Sequence, residues 1–233
     1  MDEIVRAAIP AWQRLHPEVE IKVINRQYAD HHTAMTTALS PAVLLPDVMA
    51  LESSFVGRYA QGQGLEDLSR EPYRVDRFRS HLVGYAYDQA VSRSGAVVAV
   101  PRGANTGYGG AFYAMPRRAD PSRKALAWRF IQLMTLDRTR QLAAFKSHDA
   151  FPALLATHED EFFEQPVAFL GGQKARLLWR EAARRISASP VHKQNNFADE
   201  AVGTELDNVL NRGKDIATAL GDAGRLIARR ALR

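Results

Sequence analysis

At 233 residues and 25.9 kDa the chain can form one large domain or two small ones and can bury a sizeable core. Apolar residues at 46% and charged residues at 24% are ordinary globular values that exclude intrinsic disorder, and no run approaches the ~18 apolar residues of a membrane-spanning helix. There is no cysteine, which removes disulfides, thiolate metal sites, iron–sulfur clusters and cysteine nucleophiles together; the net charge of +5 lies wholly in the tail, because residues 167–233 carry 12 Lys and Arg against 7 Asp and Glu while 1–166 balance 19 against 19.

The opening Met1-Asp2-Glu3-Ile4 has neither the basic nor the apolar region of an export signal, so none is expected in this chain. Ile4, Val5, Ala8, Ile9, Trp12 and Leu15 then recur at helical spacing, with Pro10 expected to bend the helix and His16-Pro17 to close it. Val19, Ile21 and Val23 alternate with polar residues, which predicts a strand over 19–24. Residues 30–39 read as a weaker helix, and Leu44 to Leu51 as a short buried strand. Helix and strand in this alternation describe parallel β/α winding.

Glu52-Ser53-Ser54 suits the start of a helix carrying Phe55, Val56, Tyr59 and Ala60, ended by Gly62 and Gly64. A helix near 80–90 leads to the β-rich run Ala96 to Pro101, a glycine-rich connection from Arg102 to Gly110, and a second apolar run from Ala111 to Pro116. From Asp120 onward the chain is predicted to be helical almost throughout. Ala125, Trp128, Phe130, Ile131 and Met134 face inward in one helix, and Leu142, Ala143 and Phe145 in the next, which Asp137 caps. Later helices cover 173–186, with Leu177, Leu178 and Ala182 on the apolar face, then about 197–211 and 214–232, divided by Asn211-Arg212-Gly213.

Ser147-His148-Asp149 holds the residue types of a hydrolase triad, but three consecutive side chains cannot converge on one another, so no catalytic residue is assigned. His31-His32 lacks a third ligand at helical spacing and reads as a surface pair, which leaves no metal site and no cofactor. The segment Gly103 to Gly110 fits neither a Walker loop nor the dinucleotide fingerprint. It can be a flexible turn, or it can let backbone approach a ligand at Gly109 and Gly110 while Tyr108 offers a face for a sugar ring. Arg176, Arg180, Arg184 and Arg185, and again Arg225, Arg229, Arg230 and Arg233, cluster at helical spacing. With 25 Arg against 6 Lys throughout the chain, the clusters follow a general arginine bias, and no nucleic-acid partner is assigned.

The ordered series Ile9-Pro10-Ala11-Trp12, His16 to Val23, Pro46-Asp47-Val48, Phe55 to Leu68, Ala96 to Pro101, Gly109 to Pro116, Arg123 to Ile131 and Gly171-Gly172-Gln173 resembles the extracellular sugar-binding proteins of ABC importers, the maltose-binding-like family 1. The resemblance implies an α/β, periplasmic-binding-protein-like (type II) lobe with a short, mainly parallel sheet from 19–24, 47–51, 96–100 and 110–115. That lobe spans 1–155, with 101–110 a shortened hinge connection, and a helical C-terminal region covers 156–233. It also implies a periplasmic or extracellular, non-catalytic protein that binds a sugar or oligosaccharide and works with a membrane permease. Carried over position by position, Glu52, Ser53, Asn105, Tyr108, Gly109, Gly110 and Gln173, with Trp179 beside the last, fall where the family meets its ligand; Glu52 is the expected hydroxyl acceptor. In the family an apolar strand precedes the first helix and most of a second lobe separates Pro101 from Gly110; here the chain begins at the helix and only 102–109 fill the gap. A natural remnant or an engineered single lobe is therefore expected, with an open slot between 19–24 and 47–51 or a new pairing of those strands, and with a tendency to self-associate. The other reading left open is an interaction module that kept the fold and lost its ligand.

Overall fold

The structure is a computed structural model that describes residues 2–39, 45–60, 64–104, 110–188 and 192–231. Three strands form its sheet among these residues: β1 (Met49–Glu52), β2 (Val100–Pro101) and β3 (Ala111–Ala114), in the order β1-β3-β2. Met49 faces Ala114 and Glu52 faces Ala111, while Val100 faces Tyr113 and Pro101 faces Phe112.

Both pairings are antiparallel, which corrects the expectation of a mainly parallel sheet. The link from β2 to β3 spans only 102–110, long enough to return a strand beside its predecessor but too short for the crossover that a parallel neighbour requires. The 19–24 strand does not form either. Residues 19–27 are irregular; Val19 and Ile21 pack against the core, while Ile24 is exposed. With no neighbouring ladder to satisfy its backbone, the alternation of apolar residues orients side chains without making a strand. Of the 96–100 run only Val100 enters the sheet, Val97 making a single bridge to Val91.

Around the sheet lie α1 (Asp2–Leu15), α2 (Tyr28–Leu39), α3 (Ser53–Ala60) and α4 (Gly84–Gln89). They are followed by α5 (Lys124–Thr135), α6 (Arg138–His148), α7 (Ala175–Arg185), α8 (Asn195–Arg212) and α9 (Ile216–Ala231). α1 continues through Pro10, whose ring sits on the exposed side, and its inward face ends on Trp12, buried edge-on against Phe130 of α5 at 5.4 Å. Asp137 caps α6 as expected by accepting from the Arg140 amide. Ala125 and Ala143 are exposed, contrary to the helical reading; Ala127 and Ala144 take the inward positions. The long C-terminal helices fall close to their predicted limits. Gly213, at φ 67°, provides the left-handed residue that ends α8, and Lys214 joins the two last helices by reaching Glu205 and Asp222.

Aromatic rings tie residues 162–163 and α7 to α6. Phe145 of α6 is fully buried and meets Phe151, Phe162 and Phe163 at 5.2–5.5 Å. Arg176 of α7 lies 3.9 Å over the Phe162 ring, and Arg180 donates to the His158 carbonyl at 2.9 Å. Two of the clustered arginines are thus used in internal packing, where a guanidinium over a ring gains more than it would in water. On α7, Leu177 packs on the core, whereas Leu178 stays 65% exposed. No helix among the described residues is long and apolar enough to cross a membrane.

Truncating Phe145 to alanine removes the shared member of this ring cluster, and Phe145→Ala should lower stability by about 3–5 kcal/mol. Urea unfolding checks it; a loss below about 1 kcal/mol would mean that the cluster does not hold α6 to the segment carrying Phe162 and Phe163.

Candidate functional site

An open groove of about 830 Å³ runs between the irregular stretch 19–26 and the free edge of β1, with Trp12, Ile21, Glu52, Tyr113, Arg123 and Phe130 among its walls. The Ser53 amide donates to the Gly110 carbonyl at 3.1 Å, which fixes the alternation of the antiparallel ladder. The backbone groups of Met49 and Leu51 therefore point to β3, and those of Ala50 and Glu52 point into the groove. His31 of α2 donates through Nε2 to the Ala50 carbonyl at 2.7 Å and so covers one of these edge acceptors. His32 is buried and stacked 3.6 Å from the Phe55 ring. The two histidines are thus packing residues, His31 holding α2 to β1 and His32 holding it to α3, not the surface pair expected from sequence, and the described residues contain no cluster able to hold a metal.

Glu52 ends β1, half-buried in the groove wall, and burial pushes its carboxyl above the usual glutamate value. Ser53 opens α3 and is buried. Gly110 is held against them by its carbonyl and has no room for a side chain, since a Cβ there would lie 2.7 Å from Cε2 of Phe112. These three residues are brought together. Asn105, Tyr108 and Gly109 lie outside the described residues. Gln173 is exposed where the turn 168–172 closes on Val167, whose amide donates to its carbonyl at 2.9 Å, and it does not line the groove. Trp179 packs partly buried on the core.

Two residues not singled out individually by the sequence reading share the sheet face of Glu52, Tyr113 in the groove and Arg102 on the far side of β3 and outside the groove. Tyr113 lines the groove from β3, and burial pushes its phenol up to about 12. Arg102 follows β2 and is 6% exposed. Its amide donates to the Ala111 carbonyl at 2.8 Å, so the strand register continues and sets Arg102 opposite Ala111, just as Glu52 is from the other side. Burial pushes its guanidinium below the usual arginine value, countered in part by the Tyr113 phenol. A sequence signal for Arg102 exists: no Asp or Glu occurs between Asp88 and Asp120, so a buried arginine in that stretch has no local counter-charge. A smaller hollow of about 320 Å³, lined by Val83, Leu155 and Arg184, holds none of these groups.

The fold is that of known sugar-binding proteins. A structure described as an extracellular solute-binding protein family 1 member superposes with a TM-score of 0.81 at 11% identity, over 97% of this chain and 96% of that one. Maltose-bound MalE3 of T. maritima gives 0.79 at 10% identity, over 97% and 95%. The ABC transporter associated binding protein from B. animalis subsp. lactis Bl-04, in complex with beta-1,6-galactobiose, gives 0.77 at 11% identity, over 97% and 95%. No protein-family model matches the sequence, and no curated protein matches it.

Because burial holds the Glu52 carboxyl above its ordinary 4.5, the folded state binds that proton more tightly than the unfolded state does. Its ionisation therefore costs stability as pH rises from about 4.5 through the folded value. Glu52→Gln should raise the melting temperature at pH 7 by about 1–2 °C and leave it unchanged near pH 4. A variant that melts lower at pH 7 would mean that Glu52 is held by a favourable partner instead.

Proposed function

We propose that this chain is the carbohydrate-binding component of an ABC importer, a non-catalytic protein acting outside the cytoplasmic membrane and delivering its ligand to a permease. The observation that carries the reading is the likeness to solved sugar-binding proteins over 97% of the chain, joined to a half-buried carboxylate, Glu52, at the end of the groove. Sugars present many hydroxyl donors, and a partly desolvated carboxylate is a strong fixed acceptor for them. We take 1–155 as the α/β lobe with 101–110 its shortened hinge, and 156–233 as the helical region. A short form of the binding protein is supported by 102–109 alone standing between β2 and β3, two adjacent strands of one sheet.

One lobe leaves one face of a sugar in water, so affinity should be modest, with Kd weaker than about 10 μM. Calorimetry with maltose, galactobiose and their monosaccharides measures it. Submicromolar binding by the monomer would refute the one-lobe picture, and no heat at millimolar sugar would refute the carbohydrate reading.

A second reading, an interaction module, is favoured by a different observation. The groove exposes an unpaired strand edge, and Leu178, Leu210, Ile216 and Leu220 are 51–79% exposed, both of which invite association. We expect the chain to self-associate. Light scattering and melts over a concentration series test this; a clean monomer melting cooperatively above about 65 °C, independent of concentration, would exclude it.

A further inference from the structure

Both walls of the groove lack the neighbour that an extended chain requires. On one side the amides of Ala50 and Glu52 point into the groove, and neither meets a hydrogen-bond acceptor among the described residues; the Ala50 carbonyl is met by His31 Nε2. On the other side Val19, Ile21 and Val23 line the groove at alternate positions with no ladder beside them. Two amides two residues apart on a strand stand about 7 Å from each other, which is the repeat of the carbonyls along one edge of an extended peptide. A carbonyl oxygen has two lone pairs, so Ala50 can accept a peptide amide beside the His31 bond. Leu126 and Phe130 of α5 add apolar surface to the groove.

Charge sets the two ends of β1 apart. Asp47, just before β1, is answered by Arg123 at 2.9 Å, whereas Glu52, at its end, is half-buried and has no ion pair among the described residues. Glu20, Lys22 and Arg26 line the opposite wall with exposed side chains, and neither cation pairs with Glu52.

We propose that this groove docks an extended peptide segment of a partner protein, which adds a strand to the free edge of β1, turns alternate apolar side chains to the groove walls and carries a lysine or arginine at the Glu52 end. The inference deepens the second reading above, the interaction module, by naming the chemistry of its partner. In such strand addition the main-chain hydrogen bonds give affinity and the alternating side chains give specificity, and a charge-assisted bond to Glu52 fixes the direction. Because β1 runs from Met49 to Glu52, a parallel peptide meets Glu52 with its C-terminal end and an antiparallel one with its N-terminal end.

The test uses the full chain, diluted until light scattering shows a monomer, and four capped hexapeptides that alternate valine and threonine and carry an arginine or a glutamate at one end or the other. One arginine peptide should bind about tenfold tighter than its glutamate counterpart, and hydrogen exchange of the Ala50 and Glu52 amides should slow when it binds. Ala50→Pro removes one groove-facing donor and none that is bonded to β3, and should weaken binding by about tenfold or more. Glu52→Lys should reverse the preference toward the glutamate peptide, and it decides the matter if Ala50→Pro fails to fold. No binding by any of the four peptides, or binding that leaves the exchange of both amides unchanged, would overturn the proposal. If the chain then still self-associates at higher concentration the interaction reading stands; if it stays monomeric, both fall. Exchange that slows on self-association without peptide would give the groove to a second copy, and exchange that slows with maltose but with none of the peptides would give it to a sugar; either result overturns the proposal.

Discussion

The short return from β2 to β3 is the constraint on which the rest of this structure depends. Because 102–110 must bring the chain straight back, β3 lies antiparallel between β1 and β2, and all four of its residues are buried. Phe112 then fills the centre of the sheet so completely that Gly110 can carry no side chain. The Gly110 carbonyl is thereby free to take the Ser53 amide, and that single hydrogen bond fixes where β1 ends, where α3 begins and which face Glu52 occupies. The candidate site follows from the return of one strand, not from a dedicated binding loop.

The same geometry explains why a groove opens on one side only. On the β2 side the sheet is closed by α4 and α5, but beyond β1 the chain offers only the irregular 19–26, which contributes apolar side chains and no ladder. Trp12 and Phe130, packed on each other, hold the far wall, so the space cannot close by simple collapse without disturbing the α1 and α5 packing. His31 bonding to Ala50 is a substitute for a strand partner: it satisfies one edge acceptor with a side chain and blunts an edge that would otherwise template pairing with another chain.

How much of this was legible in sequence depended on whether a residue's neighbours were local. α6 and the C-terminal helices are readable because periodicity, the Asp137 cap of α6 and the Gly213 stop of α8 each act within a few residues. Strand direction is not, because alternation in 96–101 or 110–116 reports which residues are buried and is silent on the partner; the length of the intervening link carries that information. The 19–24 alternation marks the inward-facing residues, Val19 and Ile21, which are partly buried on the core, but its strand does not form, since a ladder needs a neighbour that side-chain pattern cannot provide. Glu52, Ser53 and Gly110, expected at the site from the resemblance alone, lie next to one another. His32 was misjudged because two adjacent histidines look polar, whereas a ring stacked on Phe55 is buried by contacts distant in sequence.

Charge shows the limit of counting most clearly. The whole formal excess of +5 lies in 167–233, which directs attention to the C-terminal arginines as the place to meet an anion. Among them, Arg176 and Arg180 are spent on Phe162 and on the His158 carbonyl, and Arg185 on Glu181; in water such surface charges are worth little to a partner apart from their number. The first 166 residues are electrically neutral in sum, yet they contain Arg102, the one lysine or arginine that is buried among the described residues, whose Nε finds no acceptor among them. The strength of a charge depends on its solvent and its partners far more than on the regional total, so the regional count points away from the most desolvated arginine of the described residues, which sits in the neutral half at the end of β2.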